Sequence, residues 1–396
     1  MTTRILLLDT GKEWGGGTNS MLELLKRMDR QRFTVTALFY RNYPKGDASN
    51  LKAELEKIGI PLEILPPRRQ PLLAKLGKEL ARGLLKPFPS LRQRAVHAIE
   101  RWWRIAPLSR ALAKILQQGD YDLLYMNNQP SSNQEGYLAA EMAGVPVVQH
   151  CRIEATLSRA EVDVVNRVAK RLICVSDGVR DTLVAQGVSP DLCRVVHNAI
   201  DGRQALPDPV LIPGLAPGAL VVGSVGSLIV RKANDHLLRA AAAIREQVPP
   251  FHLVLVGEGP EQERLEALAA KLGLAGQVTF AGFQQTPLAW VAAMDVLVLA
   301  SAKEGLPRVI LEAMLLGRPV IASDIVGSRE LVENGRSGLL YPYGDEGALG
   351  RHLVTLLTDG ALRQRWGAAG RARVLQEFSI EHYVAGVQAL LAEAAS

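Results

Sequence analysis

Two carboxylates stand eight positions apart in the stretch Glu304-Gly305-Leu306-Pro307-Arg308-Val309-Ile310-Leu311-Glu312. The apolar run 296–300 before it reads as a strand, and 309–314 reads as a buried helix. Pro307 suits a first helical position, because its missing N–H would have no partner there anyway. The free N–H groups around Gly305 to Arg308 then form an anion site at the mouth of the strand. Carboxylates accept hydrogen bonds from hydroxyls, so the pair suits a ligand that carries both phosphate and sugar. Taken alone, the same pair also reads as two ordinary surface glutamates at a helix start.

A second cluster points to the same chemistry. Val221-Val222-Gly223-Ser224-Val225-Gly226-Ser227 is a strand running into a turn of small residues, followed by Arg231-Lys232 and the capping candidates Asn234-Asp235. A glycine turn admits phosphate oxygens to backbone N–H groups, and Arg and Lys neutralise their charge; a surface basic pair would look alike. Val256-Gly257-Glu258-Gly259-Pro260 invites a dinucleotide reading but fails it. Its third glycine position is Gln262, and no acid ends the strand Val278-Thr279-Phe280. The loop Gly15-Gly16-Gly17-Thr18-Asn19-Ser20 comes closer, with Ser20 in the third position and Arg41 placed to meet a 2′-phosphate. A glycine-rich loop that admits a substrate explains it equally well.

The elements that must position these groups alternate along the whole chain. Strands are predicted at 4–8, 33–39, 62–65, 122–126, 145–149, 171–175 and 193–197, then at 220–225, 252–256, 277–280, 295–300, 318–322 and 338–341. Many are continuous apolar runs, as parallel strands buried on both faces require. Helix-length segments between them predict repeated βαβ units. Four prolines between Asp201 and Gly218 break the rhythm. The expected architecture is therefore α/β, with two doubly wound Rossmann-like domains facing a cleft. Domain boundaries are expected at 1–202 and 219–376, joined by a linker at 203–218. A helix at 377–396, with Tyr383, Val387, Leu390 and Leu391 on one face, could pack on either domain.

Composition bounds the function. The 396 residues are 48% hydrophobic and 22% charged, which describes a globular protein with ample core material. Cys151, Cys174 and Cys193 have neither disulfide nor zinc-ligand spacing, so a reducing cytoplasm is expected. The start Arg4-Ile5-Leu6-Leu7-Leu8-Asp9 is too short for a signal peptide and reads as a first strand. No apolar run approaches the ~18–20 residues of a membrane span. The net charge of +6 is uneven: residues 66–118 hold twelve Lys/Arg against two acids, +10, leaving −4 for the rest. Such asymmetry predicts a local anionic partner.

Taken in order, these motifs resemble those of the family 4 retaining glycosyltransferases of GT-B architecture. The series is Gly226 with Arg231-Lys232, Gly257-Glu258-Gly259-Pro260, Gly282-Phe283, Glu304 with Glu312, Gly317-Arg318-Pro319-Val320-Ile321-Ala322, Val326-Gly327-Ser328-Arg329-Glu330-Leu331, and Asn334-Gly335 with Gly338-Leu339-Leu340. The resemblance implies that Arg231 and Lys232 hold a donor diphosphate and that Glu304 contacts the donor sugar. It implies that the backbone of Gly305, Leu306, Pro307 and Arg308, through its available N–H groups, supports the sugar and phosphate. Glu312 would hold the ribose, and the Gly282-Phe283-Gln284 turn would face the base. In the first half it implies roles for Gly16 and Gly17 near the phosphates and for His150 near the sugar; a hydrogen-bonded structural histidine is the other reading of His150. Asn198-Ala199-Ile200-Asp201 resembles the family's interdomain junction, with Ala199 in place of a glycine. The implied reaction retains anomeric configuration and needs no metal or bound cofactor, the nucleotide-diphosphate sugar being a co-substrate.

The acceptor side is read from residues alone. Tyr125-Met126-Asn127-Asn128-Gln129 follows a buried strand, and Asn127 and Asn128 suit a sugar or polyol acceptor, or simply a polar turn. Lys12, Glu13 and Trp14 are further candidates. Between 72 and 104, leucines 72, 76, 80 and 84 recur at helical spacing among Lys75, Lys78, Arg82 and Lys86, and Trp102 and Trp103 accompany four arginines. A basic amphipathic helix with tryptophan is expected to lie on an anionic membrane surface. Packing of the leucines on the first sheet would explain the stripe but not the charge. The expected acceptor is a lipid-linked or envelope glycan, at the inner face of the cytoplasmic membrane; no nucleic-acid motif accompanies the charge. Another GT-B enzyme, such as a nucleotide-sugar epimerase or a sucrose-phosphate-type synthase, and a non-catalytic nucleotide- or glycan-binding protein are the alternatives.

Overall fold

Continuous apolar runs can satisfy their backbone only inside sheets covered on both faces, and that is where they lie. The computed structural model describes residues 2–10 and 14–396. Its first half contains β1 (Thr3–Asp9), β2 (Phe33–Phe39), β3 (Pro44–Lys45), β4 (Ser49–Asn50), β5 (Leu62–Ile64), β6 (Leu123–Asn127), β7 (Val147–Cys151), β8 (Ala169–Cys174) and β9 (Cys193–Val195). The second half contains β10 (Leu220–Val225), β11 (Phe251–Val256), β12 (Val278–Gly282), β13 (Val296–Leu299), β14 (Val320–Ser323) and β15 (Gly338–Tyr341).

Seven strands form one parallel sheet in the order β5-β2-β1-β6-β7-β8-β9, and six form another in the order β12-β11-β10-β13-β14-β15. Every strand expected from the sequence is present. The short antiparallel pair β3–β4 was not expected; two residues per strand leave no periodicity to read. Register keeps the apolar residues level across neighbours, as in Ile5 beside Val35 and Leu123, and Val222 beside Leu253 and Val296.

Both strand orders reverse once, between β1 and β6 and between β10 and β13. At such a switch point the flanking connections diverge and leave a crevice beyond the strand ends. Asp9, Asn127 and Asn128 lie at the first crevice, and Gly226 and residues 300–304 at the second.

The last helix, Ile380–Ala395, returns to the first sheet. Tyr383, Val387 and Leu391 are buried with Ile5, Leu7, Tyr125, Val148 and Ile173. Its entry is fixed by a backbone bond from the Ile200 N–H to the Phe378 carbonyl at 3.1 Å.

The basic insert departs from simple packing. Helix Leu72–Leu84 buries only Ala74. Leu72, Leu76, Leu80 and Leu84 are 78%, 59%, 60% and 76% exposed. The opposite side leans on helix Pro89–Glu100, where Gly77 approaches Ile99 and the Lys78 ammonium donates to Glu100 at 3.1 Å. Among the described residues, no helix is long and apolar enough to cross a membrane.

Candidate active site

The loop after β13 carries the first carboxylate. Glu304, with its side chain 12% exposed, accepts from Arg231 Nη1 at 2.9 Å and from Lys232 Nζ at 2.7 Å. Arg231 also donates to the Lys303 carbonyl at 2.5 Å, so it grips both the side chain and the backbone of this loop. Burial pushes the Glu304 carboxyl upward, but the charges of Lys232 and Arg231 outweigh it and hold the group below its ordinary value. Glu304 is therefore an anion committed to two cations, the state expected of an electrostatic partner rather than a free nucleophile. Lys232 is set by the turn at Gly226, whose φ of +147° favours glycine and whose missing Cβ leaves room for the lysine chain.

The sequence Gly257-Glu258-Gly259 is not a phosphate cradle. A Cβ on Gly257 would meet the Gly226 carbonyl oxygen at 2.1 Å, and one on Gly259 would meet that of Leu228 at 2.3 Å. These glycines let two backbones pack together behind the Gly226 turn.

Helix Arg308–Leu315 begins one residue later than Pro307 suggested. Pro307 takes an extended ψ of 115° and stands outside the helix as its N-cap. Glu312, one turn in, is largely buried, with Arg308 Nε at 3.8 Å. Here burial dominates and raises the carboxyl above its ordinary value, with Arg308 opposing.

Opposite this loop lies the start of helix Gly16–Arg27. Gly15 at its N-cap has no side chain to bond the first amides, so among the described residues no side chain caps this positive helix end. Two arginines crowd it. A Cβ on Gly16 would lie 3.8 Å from Arg308 Cδ, and one on Gly17 would lie 3.9 Å from Arg152 Cγ. Arg308 reaches across to the Ala199 carbonyl at 3.2 Å and the Ser20 hydroxyl at 3.5 Å. Cations gathered at a helix N-terminus repel it, and an anion placed between them relieves both.

Arg152 is the residue that sequence reasoning missed. Its Nε donates to Asn127 Oδ1 at 2.7 Å, Nη1 to Asn198 Oδ1 at 3.1 Å and Nη2 to Tyr383 OH at 3.3 Å. A Cβ on Gly305 would sit 2.0 Å from the Arg152 carbonyl oxygen, so the two halves touch at the functional loop. Asn198 adds a bond from Nδ2 to the Leu306 carbonyl at 2.9 Å. The only sequence signal for Arg152 was its place just beyond a buried strand.

Three expected residues take other positions. His150 is wholly buried, with Nδ1 on Tyr125 OH at 2.6 Å and its ring flanked by Tyr125 and Tyr383. Burial, then the charge of Arg152, pushes its pKa well below the ordinary value, so it is neutral. It thus lies in the sheet–helix core, because residues 148 and 150 of β7 point to the same face as Tyr125, toward the last helix. The Asn127 amide donates to Asp9 Oδ2 at 2.6 Å and that of Asn128 to Asp9 Oδ1 at 2.5 Å. Both amides thus orient Asp9, and the Asn127 carbonyl oxygen also accepts from Arg152. Lys12 and Glu13 lie outside the described residues; Trp14 donates to Asn19 Oδ1 at 2.9 Å and carries Lys45 over its ring. At the turn expected to face the base, Phe283 touches Gly46, and Gln285 Nε2 donates to the Lys45 carbonyl at 2.8 Å. Gly282 has a left-handed φ of 65°.

Comparison with known proteins bears on this arrangement. Residues 14–203 match the model of Glycosyltransferase Family 4, and residues 212–373 that of Glycosyl transferases group 1. A D-inositol 3-phosphate glycosyltransferase of Streptomyces bingchenggensis is 32% identical over 70% of this chain and 67% of its own. A lipopolysaccharide core biosynthesis glycosyltransferase of Rhizobium meliloti is 32% identical over 53% of this chain; the chain spans about 60% of that relative's length. The crystal structure of HepE from Anabaena in complex with UDP superposes with a TM-score of 0.75 at 25% identity, covering 99% of this chain and 100% of that one. Two consecutive family matches, a glycosyltransferase relative aligned over two thirds of its length and the paired doubly wound sheets make this chain a family 4-type glycosyltransferase of GT-B architecture.

Proposed function

We propose that the protein transfers a sugar from a nucleotide-diphosphate sugar to a lipid-linked or envelope glycan acceptor, with retention of anomeric configuration and without a metal. The observation that carries this reading is the charge arrangement around 304–308. Arg231 and Lys232 meet at Glu304, while Arg308 and Arg152 crowd the uncapped helix end at Gly16-Gly17. Departure of a nucleoside diphosphate builds negative charge, and preorganised cations and amides aimed at that charge lower the barrier. Glu304 keeps Arg231 and Lys232 together and offers its remaining lone pairs to sugar hydroxyls. Glu312 stands where a ribose would need an acceptor.

The relatives support the substrate classes: HepE has been crystallised with UDP and with UDP-glucose, and the Rhizobium relative is named for lipopolysaccharide core synthesis. The exposed leucines of 72–84 and the +10 segment around them support a peripheral position on an anionic membrane. Three free, buried cysteines suit a reducing compartment, hence the inner face of the cytoplasmic membrane.

Thermal shift with nucleotides and nucleotide sugars, with and without EDTA, tests the donor side. One nucleoside diphosphate and its sugar are expected to raise the melting temperature irrespective of EDTA, and Arg231→Ala to abolish the shift. Stabilisation only with a divalent cation would overturn the metal-free mechanism. Anomeric NMR of the product tests retention.

A further inference from the structure

Glu330 lies in the second half of the chain, on the short helix Val326–Leu331, and its partners lie in the first half. Its Oε1 accepts from the Gly178 N–H at 2.8 Å and its Oε2 from the Asp177 N–H at 2.9 Å. Those are the first two amides of the nine-residue helix Asp177–Ala185, so a carboxylate from one domain sits on the positive helix end of the other. His197 Nε2 stands 3.3 Å from Oε2. Burial pushes this carboxyl up, but His197 and the two amides hold it below its ordinary value, as an anion. The backbone beneath is clamped as well: Arg373 donates to the Glu330 carbonyl at 3.0 Å and the Leu331 carbonyl at 2.6 Å.

The contact is transmitted directly to the functional loop. A Cβ on Gly178 would meet Val326 Cγ1 at 2.3 Å, so the two helices touch where only glycine fits. On the other side of the 326–331 helix, a Cβ on Gly327 would meet the Gly305 carbonyl oxygen at 2.4 Å and Pro307 Cδ at 2.9 Å. Gly305 in turn abuts the Arg152 carbonyl. The 326–331 helix is thus wedged between Asp177–Ala185 and residues 305–307, and seating Glu330 presses the amides of that loop against Arg152.

We propose that Glu330 is a positioning residue whose docking on the Asp177–Ala185 helix holds the two domains closed and registers the 304–308 loop against Arg152. The effect on turnover rests on the transferase reading above; the effect on shape does not. The experiment compares wild type with Glu330→Ala, Gly178→Ala and Gly178→Ala/Val326→Ala by small-angle scattering and by steady-state kinetics with the donor identified by thermal shift. Gly178 is helical, so alanine is tolerated locally but meets both Val326 methyls; trimming Val326 removes them and leaves only its Cβ, at 3.1 Å.

Expected are a larger radius of gyration and a kcat lower by about 10- to 100-fold in Glu330→Ala and Gly178→Ala. Nucleoside diphosphate affinity should change less than about threefold, and both shape and kcat should recover in the double variant. Unchanged scattering in both single variants, or a double variant no better than Gly178→Ala, would overturn the inference. Altered shape without turnover in any protein, wild type included, would instead count against the transferase reading.

Discussion

Glu304 and Glu312 are carried on the same stretch of chain yet have opposite electrostatic characters, and the difference is measurable. Glu304 is held below its ordinary value by Lys232 and Arg231, against the upward push of burial. A depressed acid contributes stability that is present above the unfolded pKa and is lost as pH falls through the folded one. Glu304→Gln is therefore expected to lower stability at pH 7 by roughly 1–3 kcal/mol, to abolish most turnover, and to converge with wild type in acid. Glu312 is raised by burial, with Arg308 opposing. Its ionisation costs stability, and the cost grows as pH rises from the ordinary 4.5 through the raised value. Glu312→Gln is expected to stabilise the ligand-free fold at pH 8 by about 0.5–2 kcal/mol, to show no gain near pH 4, and to lose nucleotide affinity. Melting curves at both pH values check both signs, and a gain for Glu312→Gln that does not change with pH would show that this carboxyl is not raised.

Among the elements, helix Leu72–Leu84 is at odds with the rest of the fold, because its apolar stripe faces outward while its one internal cation, Lys78, is paired with Glu100. Arg68, Arg69, Lys75 and Lys86 remain exposed around the stripe. Each cation near an anionic surface contributes about 1 kcal/mol. Replacing these four with Gln should then weaken partition onto phosphatidylglycerol vesicles by about 10²–10³-fold. Leu76→Ser/Leu80→Ser should weaken it further, and neutral phosphatidylcholine vesicles should not bind. Co-sedimentation measures all three. Equal binding to neutral vesicles would assign the attachment to the leucines alone, and vesicle binding unaffected by either set would remove the membrane reading of this hairpin.

At the scale of the whole molecule, the chain closes on itself. Tyr383, Val387 and Leu391 cover the first sheet, while Arg152, Asn198 and Arg308 join the two sheets at the cleft. Removing the tail after Phe378 deletes those three side chains and uncovers their partners on the first sheet. At ~1.5–3 kcal/mol for each large apolar side chain, the loss approaches the ~5–15 kcal/mol that holds a typical domain folded. The truncated chain is expected to lose its cooperative melting transition or to aggregate. A soluble truncation melting within a few degrees of wild type would contradict the packing described here.

The sequence by itself pointed to the parallel sheets, because burial on both faces demands continuous apolar runs such as Leu253 to Val256 and Val296 to Ala300. It also singled out Glu304, Arg231 and Lys232, three charged groups on loops after strands that the fold brings into contact. Which groups meet across the cleft was decided only by the tertiary structure. Arg152 and Glu330 lie far apart in the chain, and only the packing of Gly178 on Val326 and of Gly305 on the Arg152 carbonyl brings their surroundings together. His150 shows the same limit from the other side. Its position at the end of β7 was legible, but the face it takes depends on pleat phase and on which helix covers that face, and here the last helix buries it beside Tyr125 and Tyr383. The exposed leucines of 72–84 were visible as a stripe, yet a stripe is equally apolar against a sheet or against a bilayer. Only the three-dimensional packing leaves it facing outward, because the neighbouring helix takes the opposite side.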